Sequence, residues 1–393
     1  MSTTSPTFDV AATRAGFPSL TPGRIHLDNP GGTQVHGSVI DAVTEYYHRF
    51  NANLGGPFET SLESDRVLAS ARGDVAALLG AEPAEIIFGA NMTTLTFHVS
   101  RALTRGLSPG DEILLTRVDH DGNVAPWLLA AEDRGLTVRF ADIDPDSCTI
   151  DVDDFAGQLS PRTRIAAFNW ASNGAGTISD AGRLCELARE AGAISYVDAV
   201  QYAPHGLADV HALGCDFLAC SAYKFFGPHV GVLYGRGELL ASIEPYRVRP
   251  ADYPPPQNWE TGTVNLEGIA GTAAAVGYLQ SLGMEAVAAY ERGLGAQLLD
   301  GLRAIDGVTV YGTPDLDRRV PTATFNIAGR TPAEVSGALG QRGIFVWDGN
   351  YYALELMRRL GLEDSGGAVR VGAVHYNTAA ELETFLAAVR ELA

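Results

Sequence analysis

From residue 85 onward, short apolar runs rich in β-branched and aromatic residues alternate with helix-patterned stretches. EIIFGA (85–90), EILLTR (112–117), TVRFAD (137–142), RIAAFNW (164–170), AISYVDA (193–199), FLACSA (217–222) and VGVLYGR (230–236) read as strands. Segments rich in Ala, Leu, Glu and Arg, such as 123–135 and 179–191, lie between most of them. This alternation predicts an α/β fold with a mainly parallel sheet covered by helices. Ligands in such folds bind beyond the carboxyl ends of the strands, so polar residues directly after a strand are the first candidates for chemistry.

The stretch 244–258, EPYRVRPADYPPPQN, holds five prolines and no sustained periodicity, which suits a connection between domains. Beyond it come helical patterns over 266–283 and 285–304, strand-like VTVYG (308–312), TATFNIA (322–328), IFVWDG (344–349) and AVRVGAV (368–374), and a last helix from 378. We expect an N-terminal arm over 1–25, a large domain over 26–255 and a smaller α/β domain over 256–393.

Composition narrows the partners. With 46% hydrophobic and 19% charged residues over 393 positions, the chain is long and apolar enough to bury a large core. A net charge of −19 repels phosphate backbones and anionic lipid, which argues against nucleic acid or a membrane as partner and for a small molecule. No apolar run approaches the ~20 residues of a membrane span, and MSTTSPTFDVAATRAG has neither a basic nor an apolar leader region, so a cytoplasmic protein is expected. Cys148, Cys185, Cys215 and Cys220 form no CxxC pattern and read as buried thiols in a reducing compartment. His205 and His211, with Asp209 between them, read as surface residues, and no metal is expected. No G-x-G-x-x-G follows an early strand and the Gly31-Gly32 pair lacks that spacing, which argues against a dinucleotide-binding oxidoreductase.

The most informative segment is Tyr196-Val197-Asp198-Ala199-Val200-Gln201, followed by Ser221-Ala222-Tyr223-Lys224-Phe225-Phe226-Gly227-Pro228. An ionised carboxylate inside an apolar strand is costly without a cation, so something positive should face Asp198. Lys224 follows a strand, precedes a Gly-Pro turn and sits among aromatics whose burial lowers an amine's pKa, as a Schiff-base lysine requires. Both requirements meet in pyridoxal 5'-phosphate, which takes a lysine on its aldehyde, an acid on its ring nitrogen and donors on its phosphate.

The Asp-x-x-Gln and Ser-x-x-Lys pair, 26 residues apart from Asp198 to Lys224, resembles the class V aminotransferase and cysteine desulfurase family of fold-type I pyridoxal-phosphate enzymes. The resemblance runs from HLDNPGGTQ (26–34) to VRVGAVHYNT (369–378). It implies catalytic roles for Lys224, Asp198 and His120, the last stacked on the cofactor ring within the H-x-x-N-x-x-P-W run of residues 120–127. Met92 and Thr93, which taken alone would be an ordinary helix start, are implied to hold the phosphate with Ser221 and, less firmly matched, Tyr223, which stands where many desulfurases carry a histidine. Asn173 and Gln201 are implied beside the cofactor's ring oxygen. Arg370 is implied to clamp an α-amino acid carboxylate, with Asn173 and Gly32 also near the substrate. Thr263, in ETGTVN, resembles the segment that reaches into a twin subunit's phosphate site, which implies a homodimer with shared active sites; on its own it reads as a helix cap.

One departure stands out. Cysteine desulfurases carry a catalytic cysteine on a small-domain loop, roughly where this chain has Trp347-Asp348-Gly349-Asn350-Tyr351-Tyr352, and no cysteine follows Cys220. The segment reads either as an aromatic lining for a larger substrate or as a packed helix start. The expectation is a desulfurase-like enzyme cleaving the β-bond of a cysteine-type amino acid. An aminotransferase or an isopenicillin-N-epimerase-like activity is the alternative.

Overall fold

Seven strands between residues 86 and 235 form one sheet because their side chains are apolar on both faces. Ile113 and Leu115 enter one core while Leu114 enters the other, and Phe217 and Ala219 alternate with Leu218 and Cys220 in the same way. The computed structural model describes residues 8–206 and 208–393. Residues 1–7, where the expected arm begins, and Leu207 lie outside them.

The strands are β1 (Ile86–Gly89), β2 (Glu112–Thr116), β3 (Thr137–Ala141), β4 (Thr163–Asn169), β5 (Ile194–Asp198), β6 (Phe217–Ser221) and β7 (Gly231–Gly235). They lie in the order β1-β7-β6-β5-β4-β2-β3, with β7 alone antiparallel to its neighbours. Each falls within one residue of its run in the sequence. Helices α1 (Gly37–Arg49), α2 (Glu59–Leu79) and α3 (Met92–Thr104) belong to this lobe.

The second lobe has a four-stranded antiparallel sheet of β8 (Val308–Tyr311), β9 (Thr322–Ile327), β10 (Trp347–Gly349) and β11 (Ala368–Gly372), in the order β8-β9-β11-β10. Two points differ from the expected division. Helix α4 (Leu266–Leu282) packs against α1 and α2 and gives Leu266, Ile269, Ala275, Val276 and Leu279 to the first core. The second core begins with the next helix, α5 (Met284–Arg303), which contributes Leu294, Leu298 and Leu302. The packing therefore divides near 283 rather than at 255. At the other end, Phe17 is buried in the first core, whereas Ile25–His26 pairs in parallel with Ile344–Phe345 and Leu27 is buried in the second core, so the polypeptide touches the small lobe before re-entering the large one.

His205 is also not a surface group. Its Nδ1 lies 2.7 Å from Oε2 of the buried Glu291 on α5, whose other oxygen is 3.4 Å from His375 Nδ1. Among the described residues, no helix is long and apolar enough to cross a membrane.

Candidate active site

Beyond the carboxyl ends of β4, β5 and β6 lies a cavity of about 1140 Å³ between the two lobes. Met92, Thr93, His120, Asn173, Asp198, Gln201, Ser221, Tyr223, Lys224 and Arg370 all line it. Gly32 does not, although Pro30 and Gly31 do. Thr263 is exposed, in the turn before α4, and does not reach this cavity.

Lys224 leaves the end of β6 in a single helical turn and is 8% exposed. Its Nζ donates to the carbonyls of Pro30 at 2.6 Å and Gly31 at 2.9 Å. Burial pulls the amine down to about 7, with the Arg370 charge acting in the same direction and Asp198 and Asp28 opposing. Carbonyl acceptors hold the amine without supplying a negative charge, so burial dominates and the amine passes between charged and neutral forms near pH 7. Gln201 Nε2 donates to the same Pro30 carbonyl at 2.8 Å.

Asp198 ends β5, the parallel neighbour of β6. Burial pushes its carboxyl up to about 6, against the Val200 N–H that donates to Oδ1 at 2.9 Å and against Lys224. No lysine, arginine or histidine pairs with it among the described residues. A buried acid at a cavity wall with only one backbone donor is set for a cationic group of a ligand.

His120 faces the cavity from a turn in which its Nδ1 accepts the Gly122 N–H at 2.9 Å. Burial lowers the imidazole to about 4, reinforced by Lys224 and Arg370. The neutral ring therefore carries its proton on Nε2, a tautomer assigned from that hydrogen bond. Asp119, which sequence reasoning missed, holds this turn: it accepts from Asn123 Nδ2 at 2.7 Å and from the Thr116 hydroxyl, and burial pushes it up to about 8.

At the opposite end, Asn91 caps α3 by accepting the Thr94 N–H at 2.8 Å, and Ser221 Oγ accepts the Met92 N–H at 2.9 Å. A 13-residue helix thus directs its positive end and the Thr93 hydroxyl into the cavity, a setting suited to a phosphate. Gly231 makes this approach possible, because a Cβ there would lie 2.5 Å from the Asn91 carbonyl carbon. Tyr223 stacks on His229 at 4.8 Å between ring centroids.

Arg370, on β11, is buried without a carboxylate partner. Its Nη1 donates to the Asn173 carbonyl at 2.9 Å and its guanidinium carbon lies 4.5 Å from the Tyr351 ring centroid. Arg370 Nε and Asn173 Oδ1 are buried and find no partner among the described residues. Such orphaned groups on a cavity wall are the signature of a polar ligand that satisfies them. The acid at Asp198, the amine of Lys224, the flat face of His120 and the helix end at Met92–Thr93 fit pyridoxal phosphate in shape and charge.

Lobes, sheet order and a lysine one strand away from its acid together define the fold-type I class of α/β enzymes. The family described as aminotransferase class-V matches residues 25–385, and the chain belongs to that family. It is 35% identical to a probable cysteine desulfurase of Mycolicibacterium paratuberculosis over 98% of this chain but only 58% of that protein's length. It is 34% identical to a probable cysteine desulfurase of Halobacterium salinarum over 98% of this chain and 96% of that one. A solved apo structure of a cysteine desulfurase from Thermococcus onnurineus NA1 superposes with a TM-score of 0.93 at 30% identity, covering 99% and 98% of the two chains.

Proposed function

We propose that this chain is a pyridoxal-phosphate enzyme, cysteine desulfurase-like, that cleaves the Cβ–S bond of a cysteine-type amino acid and releases the sulfur without a thiol carrier on the protein. The observation that carries this reading is the buried, carbonyl-held Lys224 amine beside Asp198 in a cavity that no cysteine lines. All four cysteines are buried, and burial raises each thiol, Cys148 to about 11 and Cys185 and Cys220 to about 12, with Cys215 well above its usual range. None is a thiolate able to accept sulfur at neutral pH.

When bound, the cofactor supplies a carbonyl for the substrate amine and a ring that draws electrons from the bonds at Cα. The α3 N-terminus, Thr93 and Ser221 hold its phosphate, with Tyr223 alongside. Asp198 would keep its ring nitrogen protonated, Gln201 and Asn173 would lie toward its ring oxygen, and His120 would lie against the ring. Arg370 binds the substrate carboxylate, bidentate recognition being the guanidinium's strength. Lys224, whose neutral form is accessible near pH 7, takes the Cα proton and returns it. The leaving thiolate departs to solvent, and water completes the balance: cysteine and water give pyruvate, ammonia and sulfide.

The exposed turn at Thr263 supports a homodimer in which it completes the partner's phosphate site, and four unpaired thiols support a cytoplasmic setting. The test is product analysis of the cofactor-loaded protein with L-cysteine and S-substituted cysteines. Thiol or sulfide, pyruvate and ammonia should appear in equal amounts, with no persulfide on the protein. Alanine together with a persulfide on Cys148, Cys185, Cys215 or Cys220 would overturn the reading. Amino-group transfer to a keto acid, or inversion at Cα with the β-bond intact, would replace it with the aminotransferase or epimerase alternative.

A further inference from the structure

Residues 350–352 cross the cavity between β10 and the helix Leu354–Arg359. Tyr351 and Tyr352 are consecutive left-handed residues, with φ of 49° and 61°. Two bulky side chains in that region persist only where the surroundings over-determine the backbone. The determinants are all present. The Tyr352 carbonyl accepts the Asp121 N–H at 2.6 Å, the Tyr352 N–H donates to Asn350 Oδ1 at 3.0 Å, and Asn350 Nδ2 donates to Glu363 at 3.0 Å. The Tyr351 carbonyl accepts Asn173 Nδ2 at 2.8 Å, and its hydroxyl donates to the Ala368 carbonyl.

Tyr351 therefore touches two cavity groups at once. Its ring supports the guanidinium of Arg370, which has no acidic partner, and its carbonyl takes the amide donor of Asn173, whose own carbonyl accepts Arg370 Nη1. We propose that Tyr351 is a positioning residue: it fixes Arg370 and Asn173 as one rigid unit for an anionic substrate group, at the loop where relatives that transfer sulfur through the protein would need a thiol. The inference rests on the reading of Arg370 as the carboxylate anchor. With the ring removed, the guanidinium keeps its hydrogen bond to the Asn173 carbonyl but loses the flat face that fixes its plane; with Phe in place of Tyr, that face remains.

The test titrates L-alanine and L-alaninamide, which differ in the carboxylate, into the cofactor-loaded protein and follows the visible absorption. Melting temperature and bound cofactor are measured for each variant. Tyr351→Asn deletes the ring and tolerates the left-handed backbone; Tyr351→Gly is the second ring deletion. Either should weaken L-alanine about tenfold while L-alaninamide and Tyr351→Phe stay within about twofold of the parent, the size of a desolvated cation–π contact. In an Arg370→Ala background, removing the ring should have no further effect. Equal weakening of acid and amide, loss of cofactor in both ring deletions, or Tyr351→Phe behaving like Tyr351→Asn would overturn the role of Tyr351. If Arg370→Ala weakens acid and amide equally, or neither, it is the carboxylate anchor that falls.

Discussion

A lysine held by two carbonyls in an apolar site behaves as an amine poised near neutrality, and the charge that acts on it most strongly is the Arg370 cation. Uptake of pyridoxal phosphate by the apoprotein should therefore quicken as pH rises through about 7, since deprotonation supplies the reactive amine. Arg370→Ala removes a charge that lowers Lys224, so the midpoint should move upward. A stopped-flow pH profile rising only near the ordinary lysine value would contradict both. Asp198 and Lys224 were legible in the sequence because a charged residue closing an apolar strand has few other uses. The Pro30 and Gly31 carbonyls that hold the amine were not legible, since every residue carries a carbonyl and only the fold decides which one is aimed. Asp119 escaped for a related reason: it stands three residues after a strand, next to the more conspicuous His120, and its burial is a tertiary fact.

At the scale of elements, the end of α3 and the start of β7 are held at van der Waals limits by a missing side chain. Gly231→Ala would drive a Cβ into the Asn91 backbone, so it should lower the melting temperature by several degrees, weaken cofactor binding tenfold or more, and cost about 1–3 kcal/mol. Gly293→Ala is the contrast: it is exposed in the middle of α5 with nothing within 4 Å, and should stabilise the chain by about 0.5–1 kcal/mol. Thermal melts of the two variants test the pair. The strands were read within a residue because apolar runs of that length bounded by polar turns fit little else. The allegiance of α4 was not, because LEGIAGTAAAVGYL is small and apolar all round and does not say which core it will join. The proline-rich stretch before it marks a change of direction, and the change of lobe comes about 25 residues later.

Across the whole molecule, the lobes are joined by a contact of Glu291 with His205 and His375 that is buried from water. Burial alone would raise the Glu291 carboxyl, yet His205 and His375 outweigh it and bring the group from 4.5 to about 2. A depressed carboxylate pKa contributes stability that is complete above about 4.5 and drains as pH falls toward 2. Glu291→Gln should cost about 3–5 kcal/mol near neutral pH and flatten that acid-side decline, measured by urea unfolding at several pH values. A variant as stable as the parent would show the contact to be neutral. The segment from Ile25 to Gly31 gives this architecture a mechanical property. Its first residues are a strand of the small lobe, and its last two carbonyls are the grip on Lys224. The segment is a tendon: a rotation of one lobe against the other would be felt at the carbonyls that hold the amine.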